Sequence, residues 1–166
     1  MGSTKKRLAL IGLTAVLQES SANVCAPLTS DAEKFIKAYS VNARSVEDCN
    51  ARMVARGDVT ADGVEDLIVI FTIEGACGNL KSATPGSCGN HHETHLKTFP
   101  GKTSPVIPVR EVGSRGERQM MQIKVVDGTI QTETLKYGKD DAMCCPSVKG
   151  KTRFVVNKGT IVVPRP

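Results

Sequence analysis

Residues 67–73, Leu-Ile-Val-Ile-Phe-Thr-Ile, are almost continuously apolar and rich in β-branched side chains. They follow directly on an acidic, glycine-punctuated stretch, Gly57-Asp58-Val59-Thr60-Ala61-Asp62-Gly63-Val64-Glu65-Asp66. A strand with one wet face alternates apolar and polar residues. A short apolar run without alternation reads as a strand covered on both faces. Whatever else this chain does, it must supply cover for two sides of one strand. Met53-Val54-Ala55-Arg56 leads into the acidic stretch, so the two apolar segments are expected to form a hairpin closed by a long acidic turn.

That turn has the spacing of an ion loop. Counting from Asp58, oxygen-bearing side chains fall at Asp58, Thr60, Asp62 and Asp66, Val64 offers a backbone carbonyl, and Gly63 permits the sharp bend. Such a donor set suits a hard cation, calcium above all. The position of the EF-hand's bidentate Glu is held by Val69, and the sequel is strand-like, so the loop is not an EF-hand. The competing reading is a structural turn in which Asp and Gly serve backbone geometry alone.

The N-terminus reads as a targeting segment. Lys5-Lys6-Arg7 precedes an apolar stretch over residues 8–17, and Ser20-Ser21-Ala22 offers a cleavage site, so residues 1–22 are expected to be a secretory signal peptide. The apolar stretch would rise only about 15 Å as a helix, half of a bilayer core, so no stable membrane anchor is expected after cleavage. Lipidation at Cys25 is disfavoured by the large Val24 before it. Residues 23–166 are then one domain in the periplasm or outside the cell. Its six cysteines, Cys25, Cys49, Cys77, Cys88, Cys144 and Cys145, read as disulfides. Cys77 and Cys88 bracket a Gly/Ser/Asn/Pro-rich loop over residues 74–92, and closing that loop costs least. Adjacent Cys144 and Cys145 fit either a vicinal disulfide or separate bonds to partners such as Cys25 and Cys49.

The remaining signals are mainly β. Ser30-Asp31-Ala32-Glu33 has the form of a capping box, and Phe35, Ile36 and Tyr39 follow at helical spacing. Ser45-Val46-Glu47-Asp48 resembles a second short helical start. Residues 93–99 suit a strand, and residues 105–112 an edge strand because of Pro105 and Pro108. Asp127-Gly128 marks a two-residue hairpin that pairs Val125 with Ile130, Ile123 with Thr132 and Met121 with Thr134 on a core face. Lys124–Gln131 and Gln122–Glu133 then share a wet face. Asn157-Lys158-Gly159 suggests a three-residue turn in a last hairpin. One helix followed by up to eight strands implies an α+β fold, a helix packed on a single twisted antiparallel meander stapled by disulfides.

Chemistry-bearing constellations are sparse. His91-His92-Glu93-Thr94-His95 is not the H-E-x-x-H zinc signature, although on a strand His91, Glu93 and His95 would share a face. There is no G-x-S-x-G, P-loop or dinucleotide fingerprint, and few aromatic residues on which bases could stack, so nucleic acid is not an expected partner. Removing residues 1–22 takes away three cations and Glu19, lowering the net charge from +5 to +3. Residues 136–166 hold seven Lys/Arg against Asp140 and Asp141. That excess reads either as a solvated lysine-rich surface or as a site for an acidic partner.

Two motifs together resemble a family. The acidic stretch Gly57–Leu67 is similar to the single FG-GAP-like motif of small exported bacterial proteins. Asp140-Asp141-Ala142-Met143-Cys144-Cys145-Pro146-Ser147, followed by Lys151-Thr152-Arg153-Phe154, resembles the Cys-Cys-Pro-Ser segment and final strand pair of LppP/LprE-type lipoproteins and their relatives. The resemblance spans about residues 50–163 and implies an exported, disulfide-bearing domain without an established reaction. The expected function is a non-catalytic binding domain of inhibitor or immunity type for another exported protein, with a structural calcium site. The alternative is a cation-dependent hydrolase using the acidic loop, with His91 or His95 as base.

Overall fold

In the computed structural model, which describes residues 25–102, 106–142 and 144–165, the apolar run lies in strand β2 (Asp66–Glu74), where every residue from Asp66 to Ile73 is buried. Residues 1–22, the expected signal peptide, fall outside the described residues. The side chains of β2 alternate between two covers. Leu67, Val69, Phe71 and Ile73 lie under helix α1 (Ser30–Ala43), against Ala32 and Ile36. Ile68 and Ile70 point the other way, into a core shared with Met120, Ile130, Phe154 and Ile161.

That second cover is another sheet. The first sheet has the order β1 (Val46–Gly57), β2, β3 (His92–Phe99), β4 (Arg110–Ser114). The second has the order β5 (Arg118–Val126), β6 (Thr129–Lys136), β7 (Val148–Asn157), β8 (Thr160–Val162), and all pairings are antiparallel. The chain changes sheets in a turn after β4, where the Glu117 amide donates to the Ser114 carbonyl at 3.0 Å.

The expected α+β fold is thereby corrected. The protein is mostly β, 47% strand and 10% helical, with one short helix and two antiparallel sheets. A helix of 14 residues, about 21 Å long, covers one face of β2 and leaves the other to be covered by strands. Residues 45–48, expected as a helical start, instead lead into β1, with Val46, Glu47 and Asp48 opposite Glu74, Ile73 and Thr72. The capping box is shifted too. Thr29 is the N-cap, its hydroxyl accepting from the Ala32 amide at 3.4 Å, and Glu33 is drawn elsewhere.

Glu33 goes to Arg52. The Arg52 side chain is 2% exposed and all five of its N–H donors are used. It donates to both oxygens of Glu47 at 2.8 and 2.7 Å, to both of Glu33 at 2.6 and 3.2 Å, and to the Ala26 carbonyl at 2.9 Å. The hydrogen bonds to Glu47 and then Glu33 hold its pKa above the ordinary arginine value. This ion triad ties α1, β1 and the N-terminal lead together.

The two cores differ in chemistry. Four of the six aromatic residues, Phe35, Tyr39, Phe71 and Phe99, gather under the helix, while the inter-sheet core is aliphatic except for Phe154. Lys97 is buried in the helix-side layer, its ammonium 5.0 Å from the Phe35 ring centre and bonded to the Ile107 carbonyl, and burial lowers its pKa.

In the β5–β6 hairpin Asp127 and Gly128 have φ of +48° and +69°, as a type I′ turn requires. Val125–Ile130, Ile123–Thr132, Lys124–Gln131 and Gln122–Glu133 are cross-strand partners. The expected Met121–Thr134 pair is replaced by Met120–Thr134, because a bulge at Met121 shifts the register and turns that side chain outward. The last hairpin turns on two residues rather than three, Lys158 and Gly159, with Asn157 opposite Thr160.

Candidate functional site

The acidic loop joins β1 to β2, and its aspartates are turned onto backbone amides, most of them the loop's own. Asp66 is fully buried. Its Oδ2 accepts from the Val59 and Thr60 amides at 2.9 and 3.0 Å, and its Oδ1 accepts from the Gly101 amide at 3.0 Å. Asp58 accepts from the Gly63 and Asp62 amides at 2.8 and 3.2 Å, and these bonds, the Gly63 one above all, hold its pKa below the usual carboxylate value. Asp62 accepts from the Val64 amide at 2.9 Å, and its carbonyl takes the Lys102 ammonium at 2.8 Å. Thr60 Oγ1 lies 3.5 Å from Asp66 Oδ1. Among the described residues, the His/Cys/Asp/Glu groups whose donor atoms all lie within 4.8 Å of one another are Cys25, Glu47 and Cys49; Asp58, Asp62 and Asp66 do not draw together in this way. The loop therefore accounts for each of its three Asp residues as a backbone acceptor.

The histidine cluster forms at the other end of the sheet. Glu93 lies between two histidines, 3.4 Å from His91 Nε2 and 3.4 Å from His95 Nε2, so His91, Glu93 and His95 do share a face. His95 is buried under α1, its ring against Tyr39 and Phe71 and its Nδ1 3.5 Å from the Tyr39 hydroxyl. Burial lowers its pKa, with Glu93 pulling the other way. The register places Leu67 opposite Phe99 and Glu74 opposite His92. The acidic loop is thus roughly 25 Å from His91, the length of β2, and roughly 15 Å from His95, which lies opposite Phe71, at about 3.3 Å per residue. The constellation that a hydrolase using both would need is not brought together.

The three disulfides are Cys25–Cys49, Cys77–Cys88 and Cys144–Cys145. They mark a non-cytoplasmic protein; among the described residues no helix is long and apolar enough to cross a membrane. Cys77–Cys88 closes a loop that docks on the helix end: Arg44, in the left-handed C-cap position, receives the Cys77 and Gly86 amides on its carbonyl at 3.3 and 3.0 Å. Gly75 turns into this loop at φ +60°, and a Cβ there would run into the Gly86 carbonyl. The Cys144–Cys145 pair is vicinal and exposed. Its loop is clasped by Asp141, which accepts from the Gly138 amide, the Ser147 amide and the Ser147 hydroxyl at 2.7, 2.8 and 2.8 Å, and these bonds lower its pKa.

The surface the sequence only half disclosed is the outer face of the second sheet. Alternate rows of β5, β6 and β7 point into the core, as Val125, Ile130 and Phe154 do. The rows between them, Lys124–Gln131–Arg153 and Gln122–Glu133–Lys151, point out. These residues floor a groove of about 740 Å³, larger than two others of about 400 and 290 Å³, and Val163 and Pro164 of the C-terminal tail add an apolar wall. Six cations and one carboxylate, Glu133, line it. Among the described residues, only Arg118 of those six has an ion pair, with Glu117 at 2.5 Å. The Asp127-Gly128 register exposes the β5–β6 half of this face to sequence reading; the alignment of β7 was hidden by the loop before it.

No known protein family, curated protein or solved structure was found to match this chain.

Proposed function

We propose that this chain is an exported, non-catalytic binding domain, periplasmic or secreted, that engages another exported protein in the manner of an inhibitor or immunity protein. The observation that carries the reading is the groove on the second sheet. It is concave, most of its cations have no ion pair among the described residues, and it is built on strands whose opposite face is locked into the core. Rigid elements of this kind hold a binding surface in place without the entropy cost of ordering it. The disulfides and the resemblance to small exported domains support the same compartment. The separation of the acidic loop from the histidines speaks against the cation-dependent hydrolase.

Immobilised protein should retain one specific partner from envelope extract or culture fluid, and the recovered partner should bind in a purified titration. Recovery of none, together with turnover in a hydrolase panel supplied with divalent cations, would sink the reading. Calcium at the acidic loop has its own test. Bound calcium would raise the melting temperature of the protein, and Asp62→Ala would remove that rise; no rise leaves the loop as a structural turn.

A further inference from the structure

We infer that the groove on the outer face of β5, β6 and β7 takes an extended acidic protein segment, with Lys124, Lys151 and Arg153 receiving its carboxylates and Glu133 excluding uniform polyanions. The inference rests on the reading of the chain as a binding domain and specifies the partner's chemistry.

Three features point to this occupant. The first is spacing. Lys151 and Arg153 are two residues apart on β7, so their stems stand about 7 Å apart, the repeat of alternate side chains in an extended chain. Gln131 lies between Arg153 and Lys124 in one cross-strand row, which sets those cations about 10 Å apart across the groove. A segment running along β7 could set acidic side chains against Lys151 and Arg153 in succession and reach Lys124 from the same strand. The second is charge. No carboxylate of the described residues lies within 4.0 Å of Lys124, Lys151 or Arg153, so a partner's carboxylate displaces no internal ion pair. Complementary charge would speed encounter and fix register.

The third feature decides between partners. Glu133 sits on the middle strand, in one row with Gln122 and Lys151. A nucleic acid or sulfated polysaccharide, charged along its whole length, would bring anions against it. A protein segment can place a serine or glycine there and address the cations on either side. The amides of Gln122 and Gln131 can both donate to and accept from a peptide backbone, and Val163 and Pro164 can pack on an apolar side chain. Among the described residues none that lines the groove is aromatic, so base stacking has no platform there.

The test uses a fluorescent peptide in which Glu-Thr-Glu units alternate with Gly-Ser, a Lys-Thr-Lys counterpart, and heparin as the uniform polyanion, all read by anisotropy or competition. The Glu peptide should bind, and binding should weaken as salt rises from about 50 to 200 mM, since screening sets in over about 10 Å. Lys151→Glu with Arg153→Glu should weaken it at least about tenfold, and Lys124→Gln about threefold, as expected for loss of charge-assisted contacts. The Lys peptide should not bind. Glu133→Gln should leave the Glu peptide within about twofold and tighten heparin several-fold. Unchanged melting temperatures would show that these exposed substitutions preserve the fold. The inference is overturned if the Glu peptide fails to bind, if it binds the charge-reversed variant equally, or if wild-type protein prefers heparin and Glu133→Gln does not matter. If the charge-reversed variant still captures the natural partner, the binding-domain reading stands and this groove is not its site.

Discussion

The two sheets are built from strands of similar length and the same antiparallel pairing, yet they solve opposite problems. In the first sheet β2 is buried from Asp66 to Ile73, and one of its faces meets a helix while the other meets strands. In the second sheet β6 alternates, with Ile130, Thr132 and Thr134 buried, Gln131 partly exposed and Glu133 exposed. A strand covered twice presents almost nothing to solvent, so it serves stability. A strand covered once keeps a free face whose side chains can change without disturbing the core. The contrast explains why the cationic groove sits on the second sheet and the ion triad around buried Arg52 on the first.

Substitutions should divide along the same line. The largest losses belong to the first sheet. Phe71→Ala, which opens a cavity between Phe35, Tyr39 and His95, should cost about 3–5 kcal/mol in urea denaturation. Arg52→Ala should cost a similar ~3–5 kcal/mol by leaving Glu47 half-buried and unpaired, whereas Arg52 and both glutamates replaced together by apolar residues should lose far less. Equal costs for the single and triple variants would show that the triad acts by packing and not by charge.

Disulfide removal comes next. From chain entropy, opening Cys25–Cys49, 24 residues apart, or Cys77–Cys88, 11 apart, should cost roughly 3 kcal/mol each, while opening the vicinal Cys144–Cys145 should cost less than about 1 kcal/mol. Melting of the three Cys→Ala pair variants checks the order, and a large loss at Cys144–Cys145 would give the loop before β7 a structural weight comparable to the first sheet.

A smaller effect is expected from pH. Burial favours neutral His95, so its folded pKa lies below the unfolded value of about 6.5. Between those values the unfolded chain binds more protons. Stability from this group is therefore complete above about pH 6.5 and falls as acidification proceeds toward the folded pKa. Melting temperatures measured from neutral to mildly acidic pH should drop, with a shallower slope in His95→Phe. An unchanged slope would mean that the carboxylates dominate that range. The smallest effects belong to the outer rows of the second sheet: Gln122→Ala or Lys151→Ala should change stability by no more than about 0.5 kcal/mol.

The local features were legible in the residues alone. The nearly continuous apolar run in 67–73, rich in β-branched residues, required a strand covered twice, Asp127-Gly128 set a type I′ turn and the wet pairs beside it, and the short span between Cys77 and Cys88 favoured their bond. What forms the second cover of β2 emerged with the folded chain, because the hydrophobic pattern records that a face is buried and not what buries it. The same holds for Asp58, Asp62 and Asp66: their spacing fits an ion or a turn, and their amide partners were fixed by the path of the backbone, including Gly101 from beyond β3. Glu33 could cap its own helix or pair with Arg52, and the desolvated guanidinium, with five donors to satisfy, drew it away. Residues 46–48 became strand because Val46, Glu47 and Asp48 found partners on β2, a pairing energy that local propensity does not contain. The cationic groove belongs to this second group, since Lys124 and Arg153 meet only once β6 has paired with a strand on each side.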